Sequence, residues 1–587
     1  MQRKRGIPVS PGVAVCRAVV LDAEDQPVPR RGVPAGQVQH ELQRLDKAIA
    51  AAVDEINALR TQTAKLLGDE LAGIFGYHLG MLGDKTLIGQ FRQMVESEQV
   101  TAEYAVFAVM RRYARVFADM DDRVFKTRVS DVWDLERRIL RHLIGQVQLE
   151  LNDLKSPAVI IARDLTPSET AALDKSKIMG LVTDLGGRTS HTAILAHALG
   201  IPAVVGLEDI TTLVSSGDTV AIDGHEGVVV VDPDAATMME YRLRMRRMEA
   251  FDSDLAALAS LPARTRDGVD ITLQANIEFP NEIDAALDKG ATGIGLYRTE
   301  FLYLASTTEP DENVQYDNYR EALRRLDGRP LTIRTLDLGA DKLLPGETAL
   351  HEERNPFLGC RSIRLCLQHL PLFKTQLRAI LRASVHGPVR IMFPLVSHIM
   401  ELRQAKMVLG DVREDLDDAG IEYRRDIPVG IMVEVPSVAM QVRTFVRECD
   451  FFSIGTNDLI QYTVAVDRGN ERIASLYSAG HPAVIMLIRD VIRATAKTDK
   501  DVSLCGEMAG EPEYTMLLLG LGLRTLSITP PAIPEIKKII RSVTIDHCKR
   551  VARKAITFDS NREVVNYLRD ETMKIIPEAF DGRSVGF

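Results

Sequence analysis

The segment D-L-G-G-R-T-S-H-T-A-I-L-A-H-A-L-G-I-P-A-V-V-G, residues 184–206, carries the first chemistry in this chain. A strand runs into a Gly-Gly turn, Thr189 and Ser190 are competent helix caps, and His191 opens an apolar helix that stops at Gly200. A lone histidine in such a place more often satisfies a local hydrogen bond. Here, however, the glycines let backbone N–H groups approach an anion, the hydroxyls add donors, and the positive helix end favours negative charge. Neutral imidazole is a nucleophile near pH 7, so a phosphoryl group on His191 would be well housed.

A second set of polar residues closes successive short apolar runs further along: Asn276, Arg298 with Glu300, Arg334 with Asp337, Glu434, Asn457 with Asp458, and Cys505 with Glu507. Arginine offers a planar fork for phosphate or carboxylate. Mg²⁺ prefers one or two carboxylates plus substrate oxygens, and Glu434 and Asp458 are on offer. Taken singly, each Arg and Asp reads equally well as part of a structural ion network. Their recurrence at successive run ends favours a site for a small, multiply anionic substrate held with a divalent metal.

The elements that must position these groups follow from periodicity. Residues 6–22 read as an opening strand or pair of strands. From 37 to 147 apolar residues recur at three and four (Leu42, Leu45, Ala48, Ile49, Val53, Ile56, Leu59), which predicts a helical insert. Strand signals return in PAVIIA, KIMGLVTDL, IPAVVG, TVAIDG and GVVVVD, so an α/β module (1–36 and 148–236) is split around the helices. Residues 237–262 predict a linker helix stopped by Pro262. From 263 onward eight strand candidates alternate with helical patterns: ITLQANI, TGIGLYR, LTIRTLD, VRIMFPL, VGIMVEV, FFSIGTN, VSLCGEM and RTLSIT. Strand count and size match a (β/α)₈ barrel, with a doubly wound sheet as the alternative. In a barrel the chemistry sits at the C-terminal strand ends, where the polar residues above fall.

Composition narrows the classes. With 72 Lys+Arg against 82 Asp+Glu, a net charge of −10 and no basic run, nucleic acid is not an expected partner. The longest apolar stretches, such as 515–522, fall far short of the roughly 20 residues of a membrane helix, and no apolar signal core follows the basic N-terminus. Six scattered cysteines show neither a disulfide framework nor a zinc spacing, and reduced thiols in a cytoplasm are expected.

The run GGRTSHTAILAHALGIPAVVG resembles the phosphohistidine signature shared by enzyme I of the phosphoenolpyruvate-dependent sugar phosphotransferase system and by the pyruvate-phosphate dikinase and phosphoenolpyruvate synthase group. The motifs GIGLYRTEFL, RTLDLGADK, NPFLGCRSIR, IMVEVPS, FFSIGTNDLIQYTVAVDRGN and LCGEMAG are similar to that superfamily and occur in its order. Dikinases and synthases carry an ATP-binding domain ahead of the histidine; here only the helical insert precedes it, which favours the enzyme I family.

The resemblance implies that His191 takes the phosphoryl group of phosphoenolpyruvate and passes it to a histidine of the phosphocarrier protein HPr, which would dock on the helical insert. It implies Arg298, Arg334 and Arg468 as phosphate ligands, Asn457 as a ligand of the substrate head, and Lys342 as a further charge near the phosphoryl group. Glu434 and Asp458 are implied as Mg²⁺ ligands, Asp458 thereby also bordering the substrate. Cys505 is implied as the acid that protonates the enolate carbon, releasing pyruvate; its alternative is a buried small hydrophobe. A homodimer through the barrel is likewise implied. Two positions depart from the family pattern: His197 replaces a usual arginine, and Cys360 stands where a large aromatic precedes Arg361. The remaining alternatives are a synthase- or dikinase-like enzyme and a non-catalytic regulatory paralogue.

Overall fold

The computed structural model describes residues 1–21, 28–67, 76, 78–119, 129–144, 156–165, 177–187, 192–193, 196, 201–304, 309–339, 355–468, 470 and 472–577. Two compact units divide between Met248 and Glu249.

In the first unit, strands β1 (Gln2–Arg5), β2 (Ile7–Ser10) and β3 (Val13–Leu21) precede four helices, α1 (Val38–Leu67), α2 (Lys85–Glu98), α3 (Ala102–Asp119) and α4 (Val129–Ile144). Strands β4 (Ala158–Ala162), β5 (Ile178–Thr183), β6 (Ala203–Val205), β7 (Thr219–Asp223) and β8 (Val228–Val231) follow. The eight strands form one sheet in the order β1-β8-β7-β3-β4-β5-β6-β2. Strand β3, before the helices, lies parallel to β4, after them, with Arg17 opposite Ala158 and Leu21 opposite Ala162. The helices are therefore spliced into a crossover between neighbouring strands, as the change of periodicity predicts. Their heptad-like apolar residues Leu45, Ala48, Ala52 and Ile56 are buried against Phe91, Val106 and Leu135. Asp84 caps α2 by accepting from the Thr86 N–H at 2.7 Å, supplying one of the partners that a helix start lacks.

Helix α5 (Ala235–Ala257) starts earlier than its apolar spacing suggests, because Asp234 caps it, accepting from the Thr237 N–H at 2.8 Å. It also ends earlier, in a turn whose Ala259 carbonyl accepts from Lys537 at 2.7 Å.

The second unit is a closed barrel of parallel strands: β9 (Thr272–Ile277), β10 (Ile294–Tyr297), β11 (Leu331–Arg334), β12 (Val389–Phe393), β13 (Val429–Val433), β14 (Phe451–Ile454), β15 (Asp501–Leu504) and β16 (Thr525–Ile528). Each of the eight strand candidates supplies one strand. Pairing of Thr525 with Thr272 through Ile528 with Ala275 closes the ring, and this closure excludes the doubly wound alternative. Outward-facing residues such as Ile333, Ile391, Ile431 and Phe452 meet the surrounding helices in one continuous core. No helix among the described residues is long and apolar enough to cross a membrane.

Candidate functional site

At the C-terminal end of the barrel a cavity of about 660 Å³ is lined by Arg298, Arg334, Glu434, Asn457, Asp458, Arg468 and Cys505, all nominated from sequence. All but Arg468, which lies beyond the helix Thr456–Val464, arrive by the same device, a short strand whose end or following turn carries a polar residue. Arg334 is the last residue of β11, Glu434 follows β13, and Cys505 follows β15. Asn457 and Asp458 occupy the first turn of helix Thr456–Val464, directly after β14. Gly455 precedes them, and a Cβ there would lie 2.9 Å from Glu434 Oε2, so the missing side chain is space the carboxylate uses. His191, His197 and Lys342 lie outside the described residues. Their described neighbours Thr192, Ala193 and Ala196 are helical and buried, with Ser10 Oγ donating to the Ala196 carbonyl at 3.2 Å.

Charge is organised around Asp337. Arg334 contacts it at 2.7 Å and Glu300 at 3.0 Å, while Arg361 reaches Asp337 at 2.9 Å and Asp458 at 3.6 Å. Burial by itself would raise Asp337, but the two guanidinia overcome it and hold the carboxyl well below its ordinary value. Arg361 is a cavity residue that the sequence argument named only as the neighbour of Cys360. Its signal was the arginine of the N-P-F-L-G-C-R run, which lies in a loop rather than at a strand end. Cys360 itself donates to Gln368 Oε1 at 3.3 Å, and Arg361 stacks 5.7 Å from the Phe357 ring centre.

Asn276 belongs to the barrel interior and not to the cavity wall. Its amide donates to the Cys505 carbonyl at 3.0 Å and accepts from Ser527 Oγ at 2.6 Å. This pins the turn after β15. From the other side Asn457 donates to Glu507 Oε1 at 2.9 Å and accepts from the Glu507 N–H at 2.9 Å. The Cys505 thiol, 2% exposed, sits among Leu296, Met392, Met432 and Phe451. Burial pushes it up to about 11, so it keeps its proton throughout the neutral range.

Glu434 and Asp458 are both buried. Burial raises both carboxyls, and repulsion from Asp337 adds to it; Asp458 also raises Glu434. Two desolvated carboxylates on one cavity wall are a donor set that a divalent cation would neutralise. Among the described residues no three His, Cys, Asp or Glu side chains cluster as a self-sufficient metal cage.

A closed barrel with an arginine-rich mouth, a thiol and a two-carboxylate wall, preceded in sequence by a split α/β module with a helical insert, defines the phosphoenolpyruvate-utilising enzymes. Family models agree in order: PEP-utilising enzyme, N-terminal (residues 5–128), mobile domain (154–227) and PEP-binding domain (252–545). The phosphoenolpyruvate-protein phosphotransferase of Geobacillus stearothermophilus is 41% identical over 96% of this chain and 97% of its own. That of Bacillus subtilis (strain 168) is 40% identical over 98% and 100%. The chain belongs to the phosphoenolpyruvate-protein phosphotransferase family. Among solved structures, the solution NMR structure of an Enzyme I protein (nEIt) is 39% identical, covering 42% of this chain and 99% of its own with a TM-score of 0.37.

Proposed function

We propose that the chain transfers the phosphoryl group of phosphoenolpyruvate to its own His191 and then to a histidine of the phosphocarrier protein HPr, releasing pyruvate in the first step of sugar phosphotransfer. The observation that carries this reading is the convergence of Arg298, Arg334 and Arg468 with Glu434, Asp458 and the protonated thiol of Cys505 on one cavity. Three arginines suit a phosphate bearing two charges, and Asn457, fixed by Glu507, suits the substrate head. Lys342 adds a further positive charge near the phosphoryl group. Glu434 and Asp458 hold Mg²⁺, which when bound neutralises charge on substrate oxygens. Cys505 gives its proton to the enolate carbon, and the sulfur is recharged from solvent after pyruvate leaves.

The division that goes with this reading is a phosphohistidine domain (1–36 and 148–236), a helical insert (37–147) on which HPr docks, a linker helix (237–262) and the barrel (263–587). Transfer from the mouth to HPr needs His191 to visit both, so the linker acts as a hinge. The working form is a cytoplasmic homodimer joined through the barrel.

The test is incubation with Mg²⁺ and ³²P-labelled phosphoenolpyruvate without nucleotide, comparing the native protein with His191→Ala. Acid-labile label and a matched burst of pyruvate in the native protein alone are expected. Equal labelling of both proteins would move the phosphoryl acceptor away from His191. No label on either would favour a regulatory paralogue.

A further inference from the structure

The barrel has a second cavity, of about 610 Å³, at its opposite, N-terminal end. Barrel floors are ordinarily filled by layers of Val, Ile and Leu. Here polar and charged groups share the floor with apolar ones: Thr272, Gln274, Ser503 and Thr525 line the cavity, with Arg390, Arg424 and the rim carboxylates of Asp426, Asp450 and Asp501. We propose that this cavity is a second binding site, for a small carboxylate or phosphate anion held by the Arg390 guanidinium.

Arg390 is set in place without being fully used. Its guanidinium carbon lies over the Phe451 ring, 3.8 Å from the centroid. Gly430 makes that platform possible, since a Cβ there would come 2.7 Å from the ring. Arg390 donates to Asp501 over a long 3.4 Å. Asp501 is 75% exposed, so it turns to water at little cost when a better-placed oxyanion arrives. The other acids of the rim are already answered: Asp426 by Arg424 at 3.3 Å and Asp450 by Lys500 at 3.7 Å. An incoming carboxylate or phosphate thus meets a guanidinium fork, with hydroxyls and an amide to take its remaining oxygens. Burial also lowers Arg390 below the usual arginine value despite its acidic neighbours, which is the mark of a cation short of counter-charge.

The site is joined to the mouth by one apolar layer. Phe451 carries Arg390 and packs in the same apolar cluster as Cys505, together with Leu296, Met392 and Met432.

The experiment is equilibrium dialysis of the full chain against ³²P-inorganic phosphate and, separately, ¹⁴C-pyruvate, for the native protein, Arg390→Gln and Arg298→Ala. One class of bound anion should persist in Arg298→Ala and weaken about ten- to a hundredfold in Arg390→Gln, the size of one charge-assisted pair. Binding of phosphate alone or of pyruvate alone at that site identifies the source. If Arg390→Gln fails to fold, phenylglyoxal labelling of the native protein answers instead. Either anion should then slow modification of Arg390 severalfold. Anion binding indifferent to Arg390→Gln, or labelling of Arg390 indifferent to both anions, overturns the proposal.

Discussion

Replacement of Cys505 by alanine isolates the protonation step. Little of the fold depends on the sulfur: its contact with the Ile454 carbonyl is 3.6 Å, whereas the Cys505 backbone N–H to the same carbonyl, 3.0 Å, survives the change. Removing one buried atom from among Leu296, Met392, Met432 and Phe451 costs about 1 kcal/mol of stability. Losing a positioned general acid costs about 10²- to 10⁴-fold in rate, or about 3–5 kcal/mol in the barrier. In rapid-quench single turnovers the variant should still form the phosphoenzyme while pyruvate lags by at least about 10²-fold. Pyruvate within about threefold of native at every time would refute the role. The acid–base side is separately measurable. Burial places the native thiol at about 11 against an ordinary 9.0, so alkylation of Cys505 should show no inflection near pH 9. Because the folded value is raised, the neutral thiol contributes stability fully below pH 9, and that contribution is lost as pH climbs from 9 towards 11. Two units correspond to about 3 kcal/mol. An inflection near pH 9 would mean that the thiol is solvated and that the packing argument fails.

Three further perturbations test other parts of the site. Glu434→Gln removes a carboxylate that burial and like charge push upward, so the metal-free barrel should melt no lower than native near pH 8 while Mg²⁺ no longer raises its Tm; a lowered Tm without metal contradicts the charge argument. The raised Glu434 also predicts that native, metal-free stability falls as pH rises from the ordinary glutamate value of 4.5 upward, a slope that Glu434→Gln should flatten in denaturant titrations. Asn276→Ala orphans the Cys505 carbonyl and leaves the Ser527 hydroxyl its 3.2 Å bond to the Ala275 carbonyl, costing about 1–3 kcal/mol in denaturant melts and slowing pyruvate formation less than Cys505→Ala; an unchanged midpoint would show that the pair does not hold the turn. Gly506→Ala would set a Cβ 2.6 Å from the Thr456 backbone nitrogen, so the turn must shift; turnover should fall with little loss of secondary structure by circular dichroism, and native kinetics would contradict the fit.

The mouth was readable because barrel chemistry has a linear signature. A short apolar run followed by a polar residue marks a strand end, and this rule found Arg298, Arg334, Glu434, Asn457, Asp458 and Cys505, which all line the cavity. The same rule misjudged Asn276, whose place in β9 is one residue short of the strand end and faces the interior. It passed over Arg361, because a loop residue has no period to betray it. The floor cavity around Arg390 also went unread, since an arginine in V-R-I-M-F at the start of β12 looks like any solvated strand residue until the barrel closes over it.

What the sequence by itself determined was local and periodic: eight strand runs, a helical insert, a split α/β module and the polar residues that end the barrel strands. Those follow from residue spacing, since a period of two or of 3.6 and a change of polarity are properties of the chain alone. Ring closure between β16 and β9, the pairing of β3 with β4 across the insert, and the shared use of Asp337 by Arg334 and Arg361 were decided only in three dimensions. The physical reason is that desolvation and charge pairing depend on which distant groups a fold brings within a few ångströms. Glu434 and Asp458, 24 positions apart in sequence (458 − 434), become one electrostatic unit only when β13 and β14 lie side by side.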